Sequence, residues 1–292
     1  MGGRANGEIV GLLGAALLAS CSLVTSTAGL SGGAVPDAST ADGDATSGDA
    51  ATTDASDSGF DSSDAATTYR DLVLSDGPVG YWRLGEATGI TIADESGHGR
   101  EATLAGGVSL GQPGAIADDP STAAAFNGTN AYASIGQNFD FVGNAPFSVE
   151  AWIKPTLYDS IVRHFITKQD RPPVTKVGYA ILVNAAEGLK FERYVTNSGL
   201  EALAPAPPLN VYAHVVGTYD GASLRLYVNG VLAAGPTPDP RVSTATAAPA
   251  LIGSERPGGG QHFAGSIDET AIYDRALTAA QILAHYKMGS GL

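Results

Sequence analysis

From Tyr69 onward apolar and polar positions alternate in short bursts separated by Gly, Pro, Asn and Asp, the two-residue period of strands with unlike faces. In Phe147–Lys154, the residues Phe147, Val149, Ala151 and Ile153 fall on one face, and Glu150, Trp152 and Lys154 on the other. The first face is a core face. Trp152 needs cover of its own, from the other sheet or a crossing loop, unless it is a platform for stacking a sugar. Leu224–Leu232 carries Asn229-Gly230 between two apolar runs, which predicts a two-residue hairpin with positive φ at both turn positions. Val211–Tyr219 reads as the strand before it, ending at a second hairpin turn, Asp220-Gly221, so three antiparallel strands are expected in succession. Ser266–Tyr273 reads as a strand and Asp274–Leu277 as its exit. Thr278 with Gln281 then forms a capping box, and Ile282, Leu283 and Tyr286 give the apolar stripe of a short helix expected to close one edge of the fold. Ala204–Pro208 and Gly235–Pro240 read as proline-rich connectors.

The first part of the chain has a different pattern. Residues 9–18 form an apolar run after Arg4, too short to span a bilayer and of the length of a signal-peptide core. It ends in Leu18-Ala19-Ser20-Cys21, which resembles the bacterial lipobox; residues 1–21 are therefore expected to be a lipoprotein signal peptide, with Cys21 lipidated and anchoring the protein to a membrane. The alternative is an ordinary signal peptide with a chance cysteine. Ser22 after the cysteine resembles outer-membrane sorting, so the expected location is the cell envelope, at the outer membrane or cell surface. From Ser22 to Thr68 the chain is almost wholly Ala, Ser, Thr, Gly and Asp, a composition expected to stay a disordered linker. Such a coil has a reach of about 40 Å.

Composition sharpens this division. The net charge is −14, but eight Asp lie in the 22–68 segment, which leaves −6 for the rest. An acidic chain with no basic face is no partner for nucleic acid. Gly occurs 38 times and charged residues make up only 16%, in keeping with short strands and tight turns. Cys21 is the only cysteine, so no intrachain disulfide is available and stability must come from the core or a metal.

Several short motifs occur in a telling order: Val79–Glu86 (containing Tyr81-Trp82), Asp94-Glu95-Ser96-Gly97, Phe126-Asn127-Gly128, Phe147–Ile153, Gly217–Gly221, Tyr227–Gly230, Gly265–Glu269 and Arg275–Thr278. Together they resemble the laminin-G-like family of concanavalin A-type lectins and glucanases. The resemblance covers residues 69–288 and implies an all-β, two-sheet antiparallel jelly-roll sandwich with a short C-terminal helix. It also implies one structural calcium ion, held by Asp94 and Asp268 with backbone carbonyls near Gly97–Arg100. Read from the residues alone, Asp94 could instead cap a turn, and Asp268 could be a hydrogen-bonded carboxylate at a strand end.

Enzymes on this architecture use alternate carboxylates along one strand facing a cleft. No such triplet occurs here. Asp268 and Glu269 are adjacent, which in a regular strand points them to opposite faces, and Glu150 has no carboxylate two or four residues away. His98, His164, His214, His262 and His285 show no zinc-binding spacing and read as scattered surface or half-buried side chains. No catalytic residue is assigned. The expected function is a non-catalytic, membrane-anchored surface module binding a glycan or a surface protein. The alternatives are a degenerate or unrecognised carbohydrate-active enzyme and an architectural envelope protein. Ligand residues are not fixed by the sequence. The candidates are the Phe126–Tyr132 loop and the Arg163–Lys176 stretch, with His164, Lys168, Asp170 and Arg171.

Overall fold

The computed structural model describes residues 67–171 and 173–292; the expected leader, Cys21 and nearly all of the 22–68 spacer lie outside the described residues. Helix α1 (Tyr69–Ser75) comes first. Six strands follow: β1 (Gly80–Trp82), β2 (Thr91–Ile92), β3 (Ala102–Ala105), β4 (Ser109–Pro113), β5 (Thr122–Asn127) and β6 (Tyr132–Gly136). The middle of the chain forms β7 (Phe147–Pro155), β8 (Arg163–Gln169), β9 (Gly178–Asn184), β10 (Gly188–Val195) and β11 (Ser198–Ala204). The chain ends with β12 (Ala213–Tyr219), β13 (Ser223–Val228), β14 (Val231–Pro238), β15 (Ala250–Ile252), β16 (Ala264–Tyr273) and α2 (Ala279–Ser290).

The strands form two antiparallel sheets. One runs β14-β13-β12-β7-β16-β5-β4, with β1 also on β16; the other runs β11-β10-β9-β8-β15-β6-β3-β2. This is the all-β jelly-roll sandwich expected from the motifs. Their facing sides enclose one apolar core, in which Phe147, Val149, Ala151 and Ile153 of β7 meet Phe165, Ile181, Val183 and Phe191 of the opposite sheet. The β12–β13–β14 succession forms as expected, and Asn229 and Gly230 take φ 51° and 77°, the pair of left-handed residues that a two-residue turn demands.

Two segments differ from the expectation. Residues 231–238, expected partly as connector, form β14, because that strand is at the sheet's edge, where proline's missing N–H leaves no ladder bond unmade. Helix α1 is absent from the predicted elements, although Thr68 and Asp71 form a capping box as Thr278 and Gln281 do for α2.

Helix α2 does reach the edge strand β14, as expected, but the helices do more than close an edge. They cover the outer face of the first sheet, where Tyr69, Val73, Leu277 and Ile282 pack on Tyr81, Trp152, Val216, Tyr227 and Tyr273. Trp152 is covered mainly by the helices, with Ile116 of the β4–β5 loop in the same cluster, and not by the other sheet: Tyr69 lies edge-on at 6.3 Å and Tyr286 stacks at 6.0 Å. A Cβ on Gly289 would fall 2.4 Å from the Trp152 ring, so only glycine lets α2 come this close. The buried side of α2 is Ile282, His285 and Gly289, while Leu283, expected in the apolar stripe, is exposed.

Beneath the helices Glu150 is fully buried, and four side chains answer it. Its Oε1 accepts from His214 Nε2 at 2.7 Å, His285 Nδ1 at 3.0 Å and Tyr69 Oη at 3.2 Å; its Oε2 accepts from Tyr273 Oη at 2.9 Å. Trp152 Nε1 donates to Tyr69 Oη at 3.0 Å. His285 Nε2 reaches Asp76 Oδ2, just past α1, at 2.9 Å, so this imidazole lies between two carboxylates and ties α1, α2 and β7 together. Burial alone would raise the Glu150 pKa, but the charge of His285 and the hydrogen bonds from both histidines hold it well below the usual carboxylate range. Burial alone would lower His285, yet Glu150 and Asp76 lift it to about 9.

Removing the carboxylate in Glu150→Ala leaves a buried imidazolium without its main partner, and should cost about 3 to 5 kcal/mol in urea unfolding. The pH dependence has a definite sign. With His285 raised from 6.5 to about 9, its contribution is complete below pH 6.5 and is lost as pH rises to 9; the Glu150 contribution is complete above 4.5 and is lost progressively as pH falls below that into strong acid. The melting temperature should therefore fall across the alkaline interval from 6.5 to 9, and His285→Gln should flatten that limb while lowering the whole curve.

Candidate functional site

Among the described residues no helix lies over the outer face of the second sheet, which carries charge instead. The strand registers align its outward residues in three rows across β8, β9, β10 and β11: His164, Leu182, Lys190, Leu203; then Thr167, Ala180, Glu192, Glu201; then Gln169, Gly178, Tyr194, Gly199. A bulge between His164 and Ile166 keeps His164 and Thr167 on the same side. Small residues at the centre, Ala180 and Gly178, lower the floor, and the Tyr194 ring lies over Gly199, where a Cβ would come within 2.5 Å of it. The result is an open groove of about 520 Å³, counting solvent at its mouth, lined by His164, Arg171, Lys176, Lys190, Glu192, Tyr194 and Glu201 among others.

Each cation lining this groove has an anion. Arg171 Nε lies 2.5 Å from Glu255 and its Nη2 3.1 Å from His164 Nε2. Lys190 bridges Glu187 at 3.0 Å and Glu201 at 3.1 Å. Lys176 lies 3.5 Å from Glu192 and 3.2 Å from the centre of the Tyr194 ring. Burial, then the charges of Arg171 and Lys176, push the His164 pKa well below its ordinary value, so its ring is neutral and Nε2 accepts from Arg171. Gln169 Nε2 donates to Glu192 Oε1 at 3.1 Å, while Gln169 Oε1 and Thr167 Oγ1 are buried with no partner among the described residues.

Part of the Arg163–Lys176 candidate stretch converges here and part does not. His164, Arg171 and Lys176 line the groove. Residues 163–169 form strand β8 and are no rim loop; Lys168 turns away to Ala248 O at 2.6 Å, and Asp170 accepts from Ala247 N at 3.0 Å. The Phe126–Tyr132 loop organises itself, with Asn127 Oδ1 accepting from the N–H groups of Thr129, Asn130 and Ala131. Lys190, Glu192, Tyr194 and Glu201 are not among the sequence candidates; their signal is the polar i, i+2, i+4 series in β10, whose meaning depends on which strand it faces.

Carboxylates are also less dispersed than the sequence suggests. Glu192 and Glu201 are directly opposite one another on β10 and β11, a pairing that puts Cβ atoms about 4.5–5.5 Å apart. Both are met by lysine ammonium groups, an arrangement suited to accepting hydrogen bonds rather than to donating a proton. Asp268 and Glu269 do not alternate as expected either. A bulge between Asp268 and Ala271, with Glu269 at φ 49°, brings Glu269 to the side of Tyr81 and Arg83, both of which hydrogen-bond its carboxylate. Burial and mutual repulsion raise the Asp268 pKa, and burial raises that of Glu269; both are sealed from solvent, with no room for a substrate. His98 is the surface group expected, but His164, His214, His262 and His285 are all buried, and two of them converge on Glu150.

The residues proposed for calcium do not fit a common shell. Asp94 is the turn-capping aspartate: Oδ1 accepts from Tyr81 N at 3.0 Å, Ser96 N at 3.0 Å and Ser96 Oγ at 2.5 Å, and Oδ2 from Arg100 N at 2.9 Å. Asp268 accepts from Ala115 N at 2.7 Å through Oδ2, and its Oδ1 is buried without a partner among the described residues. Strand β1 runs between them, since Tyr81 N and O both face the Asp94–Glu95 turn while Val79 N bonds Ile272 O of β16. Among the described residues no three His, Cys, Asp or Glu side chains gather as metal ligands.

With fold and groove in view, the relationships follow. The Concanavalin A-like lectin/glucanases superfamily description matches residues 127–283, more than half of the chain, and the protein belongs to that superfamily. The match contains the whole groove. Among solved structures, the chain is similar to domain 4 of an extracellular arabinanase from Geobacillus stearothermophilus, solved with arabinotriose: 20% identity over 72% of this chain and 98% of that one, TM-score 0.55. It is also similar to the binding domain of Paraclostridial Mosquitocidal Protein 1, with 17% identity, 73% and 52% coverage and TM-score 0.58. A Trypanosoma rangeli sialidase in complex with sialic acid aligns at 15% identity, 74% and 33% coverage and TM-score 0.53. At these identities the likeness is one of fold, and the chain spans about half of the mosquitocidal structure and a third of the sialidase. No curated protein sequence matches.

If Asp94 and Asp268 hold no shared ion, calcium and chelator should leave the melting temperature unchanged to within about 1 °C; a calcium-dependent rise of several degrees would restore the metal site.

Proposed function

We propose that this protein is an exported, lipid-anchored surface module whose groove on β8–β11 binds carbohydrate without hydrolysing it. The observation that carries the reading is the groove itself: an open depression on a sheet face, lined by ion-paired, hydrogen-bonding side chains, within the residues that match a lectin and glucanase superfamily. Sheet positions hold such groups more firmly than loops would. A neighbouring fold was solved with arabinotriose, which favours a glycan over a protein surface as the partner. The 22–68 segment supports display away from a membrane at Cys21, and Ser22 supports an outer-membrane location.

A second reading, a glycoside hydrolase, is favoured by the direct cross-strand pairing of Glu192 and Glu201, since such enzymes work with two carboxyl groups close together. The lysine paired with each acid weighs against it, since one of the two must deliver a proton to the leaving oxygen.

Three measurements check these readings. On an array of polysaccharides the protein should retain at least one glycan, and Glu192→Gln with Glu201→Gln should weaken retention at least about tenfold, measured well below the variant's own melting temperature so that lost ion pairing does not unfold it. Release of reducing ends from the retained glycan would establish the hydrolase instead. Cys21→Ala should abolish lipid labelling in the producing cell; persistent labelling would remove the anchor from the proposal.

A further inference from the structure

Within that reading, the pairing of charges also selects the class of glycan. We infer that the groove takes an uncharged, polyhydroxylated saccharide and discriminates against uronate, sialate and sulfated sugars. An acidic sugar brought out of water needs a cation whose charge is not already balanced by a carboxylate. Among the described residues the groove offers none. Arg171 is matched by Glu255, Lys176 by Glu192, and Lys190 by both Glu187 and Glu201, so three cations face four carboxylates. His164 donates no charge, because its ring accepts from Arg171. An incoming anion would add a fifth negative group to a face that already has one in excess.

Hydroxyl groups meet the opposite situation. Glu192 takes its contacts from Gln169 and Lys176 through Oε1, and Glu201 meets Lys190 through Oε2; the other oxygen of each accepts no hydrogen bond among the described residues. Thr167 Oγ1 and Gln169 Oε1 are unmet as well, but they are buried beneath the groove floor. A ligand rich in O–H donors can meet the two free carboxylate oxygens. An anionic oxygen can meet neither.

The test uses matched pairs of probes and the full chain. Affinity is measured for arabinan, galactan and β-glucan, for polygalacturonate, and for pectin before and after removal of its methyl esters, which changes charge and little else. The neutral members should bind at least about 100-fold more tightly than the acidic ones. Glu255→Gln, which frees Arg171, should narrow that preference at least about tenfold. Acidic probes that bind as well as the neutral ones, with binding lost in Glu192→Gln, would overturn the selectivity and leave the glycan-binding reading intact. Failure to retain any member of any pair would overturn both.

Discussion

A charge taken out of water has to be met by another, and the outer faces of this sandwich are organised by that requirement. The inner faces are a conventional apolar core. Outside it, three groups of ionised side chains are partly or wholly withdrawn from solvent, each with its own compensation. Glu150 is answered by His285, His214 and two tyrosines; Glu269 by Arg83 and Tyr81; and the groove cations Arg171, Lys176 and Lys190 by four glutamates. Asp268 is the imperfect case, with one oxygen unpaired among the described residues and its pKa displaced upward by burial.

The two outer faces reach this compensation by different routes, and the difference separates stability from recognition. On the first sheet the charges are capped: α1 and α2 lie over β7 and β16, and His285 links Asp76 to Glu150 across both helices. Every residue of β16 is consequently buried, the signature of a strand covered on both sides. On the second sheet no helix among the described residues intervenes, and side chains pair laterally across β8 to β11 while keeping their tips at the solvent boundary. The first arrangement fastens the chain's helices to the sandwich. The second leaves hydrogen-bonding groups held in place and accessible, which is what a binding surface requires.

Much of the fold is legible in the sequence because its signals are local. The alternation in Phe147–Lys154, the Asn229-Gly230 turn and the Thr278–Gln281 box each depend on a few neighbouring residues, and each forms where those residues predict it. What escapes depends on register or on long-range contact. A bulge at Asp268–Ala271 overturns the rule that adjacent strand residues face opposite ways, and nothing in Ser-Ile-Asp-Glu-Thr announces it. Glu192 and Glu201 are nine positions apart along the chain, so their proximity exists only once the β10–β11 hairpin has fixed its register. His214 and His285 likewise look isolated until β12 and α2 bring them to one carboxylate.

Register also bears on how selective such a groove can be. Side chains on neighbouring strands are spaced by the backbone ladder rather than by their own flexibility, so Thr167, Ala180, Glu192 and Glu201 keep a fixed order across four strands. Ion pairs with Lys176 and Lys190 then restrain the glutamates within that order. Restraining them before a ligand arrives lowers the entropy lost on binding, which matters most for saccharides, whose hydroxyls exchange one set of hydrogen bonds for another with little net gain. The same lysines hold the acids in a role of acceptance. If the groove binds carbohydrate as proposed, a sheet face built this way would discriminate by the position and charge of oxygen atoms, and the ion pairs across it would set which oxygens it admits.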